Sequence, residues 1–139
     1  MPRAALTRRV TFSAAHRYRR PEWSDAKNAE VFGLCANPHY HGHTYACELT
    51  VRGEVDPVTG MVIDLALLDR VLADEVVSRF DHRNLNLEVP EFAEGGMIPT
   101  GENLARVIAE RVQAALGARV SLAKVIVRED DSLWAEWTP

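Results

Sequence analysis

Between Cys35 and Tyr45 the chain reads C-A-N-P-H-Y-H-G-H-T-Y, a stretch that holds three of the five histidines and one of the two cysteines. Side chains in an extended strand alternate faces, so His41 and His43 point the same way with alpha carbons roughly 6.5 Å apart. That spacing lets two imidazoles reach one ion at the zinc–nitrogen distance of about 2.0 to 2.1 Å. Gly42 between them has no side chain, which leaves room for a third ligand or a substrate. Upstream, His16 ends V-T-F-S-A-A-H and shares parity with Val10, Phe12 and Ala14, which places it on the buried face of an alternating strand. A single histidine on an apolar strand face is ordinarily a satisfied core residue. The H-x-H pair elsewhere in the chain is what turns His16 into a third ligand.

Three neutral imidazoles with no fourth protein ligand make the open coordination of a catalytic zinc, whereas Cys35 as a fourth ligand would close a structural site. Cys47 shares the strand face of the histidine pair but lies four residues beyond His43, roughly 13 Å along a strand. It reads as a small buried apolar side chain. His39 adjoins Pro38 in a turn and reads as solvent-facing or substrate-facing.

These residues need strands to hold them. Residues 4–16 alternate as one strand, with Arg8 an exception on the apolar side, and His43 to Glu54 form a second. Arg17 to Leu34 breaks the pattern and reads as a long functional loop. Its Arg17, Arg19, Arg20 and Lys27 are read as a solvated basic patch, with contact to a polyanionic substrate as the alternative. Asp56 to Gly60 has turn chemistry before Met61-Val62-Ile63, which predicts a hairpin. Asp64 can cap a helix ending near Phe80, on which Leu65, Leu68, Leu72 and Val76 recur. Thr100 can cap a second helix, closed by Gly117. Val120 to Val127 and Leu133 to Trp137 predict a closing hairpin around a turn at 128–132. The order is two strands, two helices, two strands: an α+β domain with an antiparallel sheet covered on one face by both helices.

A chain of 139 residues, 47% hydrophobic, suits a single domain over 1–139 with a real core. The formal net charge of −4 gives no reason to expect a nucleic-acid partner. Two cysteines without disulfide-like spacing fit a reducing compartment, and no apolar run is long enough for a membrane span. A soluble, cytoplasmic protein is expected. Asp81 beside His82 at a helix end can be a cap, an ion pair or a catalytic relay, and spacing alone favours structure.

Taken together, F-S-A-A-H, F-G-L-C-A-N-P-H-Y-H-G-H-T-Y, G-E-V-D-P-V-T-G-M-V, D-H-R-N-L-N, P-T-G-E-N and V-R-E-D-D resemble the 6-pyruvoyl-tetrahydropterin synthase family, which includes the 6-carboxy-tetrahydropterin synthases of queuosine biosynthesis. The likeness runs almost the full chain. It implies the tunnelling fold, in which subunits assemble into barrels, commonly a hexamer of two stacked trimers with active sites between subunits. By the same resemblance His16, His41 and His43 are zinc ligands, Cys35 is the proton-abstracting thiolate, and Asp81 and His82 are the catalytic pair that works with it. Glu129 matches the acidic residue that anchors the pterin, and Thr100 and Glu102 fall in the stretch lining its pocket. The implied substrate is 7,8-dihydroneopterin triphosphate, with zinc as the metal and magnesium as a candidate aid to triphosphate departure.

Within the family, C-x5-H-x-H looks like the pyruvoyl-forming branch, whereas the carboxy-forming enzymes usually show a shorter C-x3-H-x-H. The expected reaction is therefore triphosphate elimination with internal redox to 6-pyruvoyl-tetrahydropterin, a lyase chemistry, with the carboxy product as the alternative. His39 and Tyr40 stand where animal members usually carry Asn-Gly, which bears on the roof of the pocket. A non-catalytic pterin-binding or zinc-binding domain is the other class this fold allows. Cys35 with Asp81 and His82 argues against it, because binding alone needs no proton acceptor.

Overall fold

The computed structural model describes residues 2–139. Strand β1 (Arg3–His16) pairs antiparallel with β2 (His41–Glu54) in a register that runs from Arg3↔Glu54 to His16↔His41. On the far side of β2 lies β4 (Ser121–Asp130), followed by β5 (Leu133–Trp137) at the edge. The two-residue β3 (Arg83–Asn84) runs parallel to β1 and closes the order β3-β1-β2-β4-β5. One face of this sheet carries the core, where Phe12 stacks on Tyr45 at 4.9 Å between ring centroids and meets Phe80 at 5.5 Å. The other face is polar, with Arg9, Thr11, Thr44 and Arg52 exposed.

Helix α2 (Leu65–Leu72) covers the core face, capped by the Asp64 carboxylate, which accepts from the Ala66 N–H. It continues through a π turn at Ala73–Val77 into α3 (Ser78–Phe80). Helix α5 (Gly101–Leu116) packs beside it, capped by Thr100 and ended by Gly117 at φ 68°. A short α4 (Leu85–Glu88) follows β3, capped by Asn84.

Three expectations change. Met61 to Ile63 form no strand, because β2 is already paired on both sides by β1 and β4 and has no edge left. Residues 17–34 are not all loop: they contain helix α1 (Asp25–Phe32), capped by Ser24. Apolar periodicity could not reveal this helix, since its one buried residue is Asn28, whose amide nitrogen donates to the carbonyls of Arg20, Trp23 and Ser24. The basic residues there are largely matched locally, Arg19 by Asp25 at 2.7 Å and Arg20 by Glu22 at 3.2 Å. Finally, β4 runs on to Asp130, so the closing turn is shorter than the predicted 128–132.

Candidate active site and metal centre

The ladder between β1 and β2 sets Ala14 opposite His43 and His16 opposite His41, so strand parity delivers all three imidazoles to the core face at one end of the sheet. His16 Nε2 lies 3.0 Å from His41 Nε2, and one ring nitrogen from each of His16, His41 and His43 falls within 4.8 Å of the others. Among the described residues, this is the one place where three such ligand groups converge. A tetrahedral ion with bonds of about 2.0 to 2.1 Å holds its donors about 3.3 Å apart, so the His16–His41 pair already has the spacing of ligands to one ion, and the wider separations, up to 4.8 Å, would close in around it.

The electrostatics agree with that fit. Burial, with His41 and His43 adding to it, pushes His16 down to about 3, so its imidazole is neutral and has a lone pair to give. Burial lowers His41 as well. The Tyr45 hydroxyl sits 2.7 Å from His16 Nδ1, which leaves Nε2 facing the cluster.

Cys35 comes from outside the strands, on a 3₁₀ turn at Gly33–Ala36. Its Sγ lies 3.9 Å from His41 Nε2, and the convergence of ligand atoms takes in the three histidines without it. Burial raises the thiol, and the carboxylate of Glu129 raises it further. The turn is tied to the segment just past β1 by the Tyr18 N–H, which donates to the Cys35 carbonyl at 2.7 Å.

Glu129 continues the parity of the core residues Val125 and Val127 on β4, and so reaches the histidine end of the same face. The Tyr18 hydroxyl donates to its Oε1 at 3.2 Å. A pocket of about 190 Å³ opens beside this pair, lined by Tyr18, Thr100, Glu102, Glu129 and Trp134 among others. Thr100 and Glu102 line the same pocket as Glu129, with Glu102 exposed at the first turn of α5. Tyr18 was not singled out by sequence reasoning. Its signal was present, since it extends the parity of His16 by one more step, and its ring lies 4.9 Å from that of His16.

Asp81 and His82 are placed elsewhere. They pair with each other, Asp81 Oδ2 to His82 Nδ1 at 3.0 Å, and the His82 side chain is 85% exposed. One backbone and one side-chain bond clasp β1: the His82 N–H donates to the Ser13 carbonyl at 2.6 Å, and the Asp81 carboxylate Oδ1 accepts from the Ser13 N–H at 2.9 Å. That amide, with His82 second, holds the Asp81 carboxyl below its ordinary range. His82 lines an open groove of about 530 Å³ with Ser13, Gly42 and Thr44.

Cys47 is fully buried, and burial pushes its thiol up to about 12, which suits a packing role. His39 is exposed at the Asn37 turn. Gly42 is required by the strand pairing itself. A Cβ there would meet the Ala14 carbonyl oxygen at 2.9 Å, so the missing side chain serves the close approach of β1 to β2.

A mixed sheet backed by two helices, with three converging histidines at one end, defines an α+β protein with a candidate metal site. The 6-pyruvoyl tetrahydropterin synthase family model matches residues 5–139, and the chain belongs to that family. It is 43% identical over 129 residues to human 6-pyruvoyl tetrahydrobiopterin synthase, covering 93% of this chain and 87% of the relative. The Caenorhabditis elegans 6-pyruvoyl tetrahydropterin synthase structure superposes with a TM-score of 0.93 at 37% identity, covering 100% of this chain and 97% of that one. A Pyrococcus furiosus relative named dihydroneopterin monophosphate aldolase is 32% identical over 134 residues, 96% of each chain.

Proposed function

We propose that this protein is a zinc-dependent 6-pyruvoyl-tetrahydropterin synthase acting on 7,8-dihydroneopterin triphosphate. The observation that carries the reading is Cys35: a free thiol 3.9 Å from His41, beside three converging imidazoles and within the field of Glu129. A binding domain has no use for a proton acceptor there. The name and close identity of the human relative support the same reaction class.

Each residue has a distinct task. Glu129 offers a carboxylate that can accept, two-pronged, the ring N–H and adjacent amino group of a pterin, while Tyr18 holds that carboxylate in place. Thr100 and Glu102 line the same pocket. His16, His41 and His43 would hold the zinc, which when bound polarises substrate hydroxyls and makes the neighbouring carbon acid and the thiol easier to deprotonate. Cys35 takes the proton from that side-chain carbon. Loss of triphosphate and internal redox then give 6-pyruvoyl-tetrahydropterin with no external electron donor, and magnesium can assist the leaving group. His82 lines a groove that does not include Cys35, so we assign it and its partner Asp81 to the site of a neighbouring subunit in a hexamer of two stacked trimers.

Incubation with 7,8-dihydroneopterin triphosphate, with products identified by mass, tests the reading. The expected products are 6-pyruvoyl-tetrahydropterin and triphosphate. Acetaldehyde released in step with triphosphate would make the protein a 6-carboxy-tetrahydropterin synthase instead. Cleavage to a hydroxymethylpterin would point to aldolase chemistry.

A further inference from the structure

Arg17 directly follows His16, and its guanidinium turns back over the spacer between Cys35 and the histidine pair. Its Nη2 donates to the Ala36 carbonyl at 2.9 Å, and its central carbon lies 5.9 Å from the centroid of the Tyr40 ring. Ala36 adjoins Cys35, and Tyr40 adjoins His41. One side chain therefore touches both ends of the segment that joins thiol to imidazole. The backbone of Arg17 is in turn gripped on both sides by one amide: its N–H donates to Asn86 Oδ1 at 2.8 Å, and its carbonyl accepts from Asn86 Nδ2 at 2.9 Å. Asn86 ends the D-H-R-N-L-N stretch, and the roles given above to Asp81 and His82 leave it without one.

Two unfavourable features sit in this arrangement. Tyr40 has φ 63°, a left-handed conformation that a bulky side chain disfavours. The Nε of Arg17 is buried with no hydrogen-bond partner. Local strain of this kind persists where the surroundings over-determine it, and it gathers where a site must be pre-organised.

We propose that Arg17 is a positioning residue that clamps the Ala36–Tyr40 spacer, with the Tyr40 ring as the surface it grips and Asn86 as its anchor, so that the Cys35 thiol is held at a fixed place against the histidine cluster. The clamp rests on the reading of Cys35 as the proton acceptor. It needs a flat guanidinium, which can donate in its plane to Ala36 while presenting a face to Tyr40; a lysine cannot do both.

The zinc-loaded protein tests this. Arg17→Met keeps the aliphatic stem and removes the donors; kcat should fall about 100-fold, the cost of roughly 1 Å of misplacement, with KM and metal content little changed. Tyr40→Gly suits φ 63° and so should fold readily, yet it removes the ring. It should also lower kcat, and the double variant should be no worse than Arg17→Met alone. Multiplying losses, a kcat for Arg17→Met within about threefold of the parent, or metal lost in step with kcat would each overturn the clamp. A second readout is independent of turnover: with Cys47 buried, iodoacetamide at fixed pH reports on Cys35, which should react faster in Arg17→Met. Unchanged alkylation overturns the clamp even if the parent fails to turn over the pterin triphosphate, a failure that would instead sink the catalytic reading.

Discussion

Tyr45 and His16 meet at 2.7 Å, hydroxyl oxygen to Nδ1, and both side chains are fully buried. No water is needed to complete this pair, and it fixes which nitrogen of His16 is free. With a metal on Nε2, the Nδ1–H donates to the Tyr45 oxygen, so Tyr45 sets both ring orientation and tautomer. Tyr45→Phe leaves that buried donor unpaired at about 1 to 3 kcal/mol. Zinc affinity measured by chelator competition should fall about 10- to 100-fold. An unchanged affinity would make the contact incidental.

The metal-free protein should lose stability as the pH falls. In the folded state His16 is held neutral down to about 3, whereas its ordinary value is 6.5, so between these the unfolded chain binds the extra proton. The contribution is complete above 6.5 and is lost progressively as pH drops toward 3. About one pH unit or more below 6.5 the slope from this one group approaches about 1.4 kcal/mol per pH unit. Urea unfolding of metal-stripped protein at about pH 7 and about pH 5 reads it, and His16→Asn should flatten the difference.

Strand parity made the histidine cluster readable from the sequence. The rule that puts His41 and His43 on one face also places His16, and the core-facing Phe12 and Tyr45 confirm the register; Glu129 was named only by resemblance and read into the turn, and it reaches this face because β4 runs on to Asp130. Helix caps at Asp64 and Thr100 were equally legible, because a side-chain acceptor beside orphan N–H groups is a local matter. What escaped was held by polar or non-local contacts. Helix α1 hides its amide Asn28 rather than an apolar stripe. The Arg17 contacts with Ala36, Tyr40 and Asn86 join residues up to 69 positions apart. Gly42 answers to a carbonyl on the neighbouring strand that no spacing rule exposes.

Removing the thiol and removing a ligand should have opposite signatures. Cys35→Ala should keep about one zinc per subunit and lose most turnover, because the three histidines converge without the sulfur. His41→Ala should lose the metal itself, since His41 Nε2 stands 3.0 Å from its His16 counterpart at the centre of the cluster. Metal analysis of both variants decides between an open catalytic site and a closed structural one. Zinc lost from Cys35→Ala would make Cys35 a ligand.

The position of His82 sets the last expectation. Its side chain is 85% exposed, while its backbone is fixed at φ 58° and bonded to Ser13, so it is presented rigidly outward rather than left to wander. If it serves the Cys35 of a neighbouring subunit, every active site draws its thiol from one chain and its Asp81–His82 pair from another. Cys35→Ala and His82→Ala should each be nearly inactive alone. Unfolded, mixed and refolded together, they should recover about one quarter of parental activity, the statistical share of sites with both groups intact in a closed symmetric assembly. The recovery needs reassembly, so mixing the folded proteins without exchange gives none. No recovery after refolding, with assembly shown by light scattering, would place thiol and His82 in the same subunit's site or remove His82 from the chemistry.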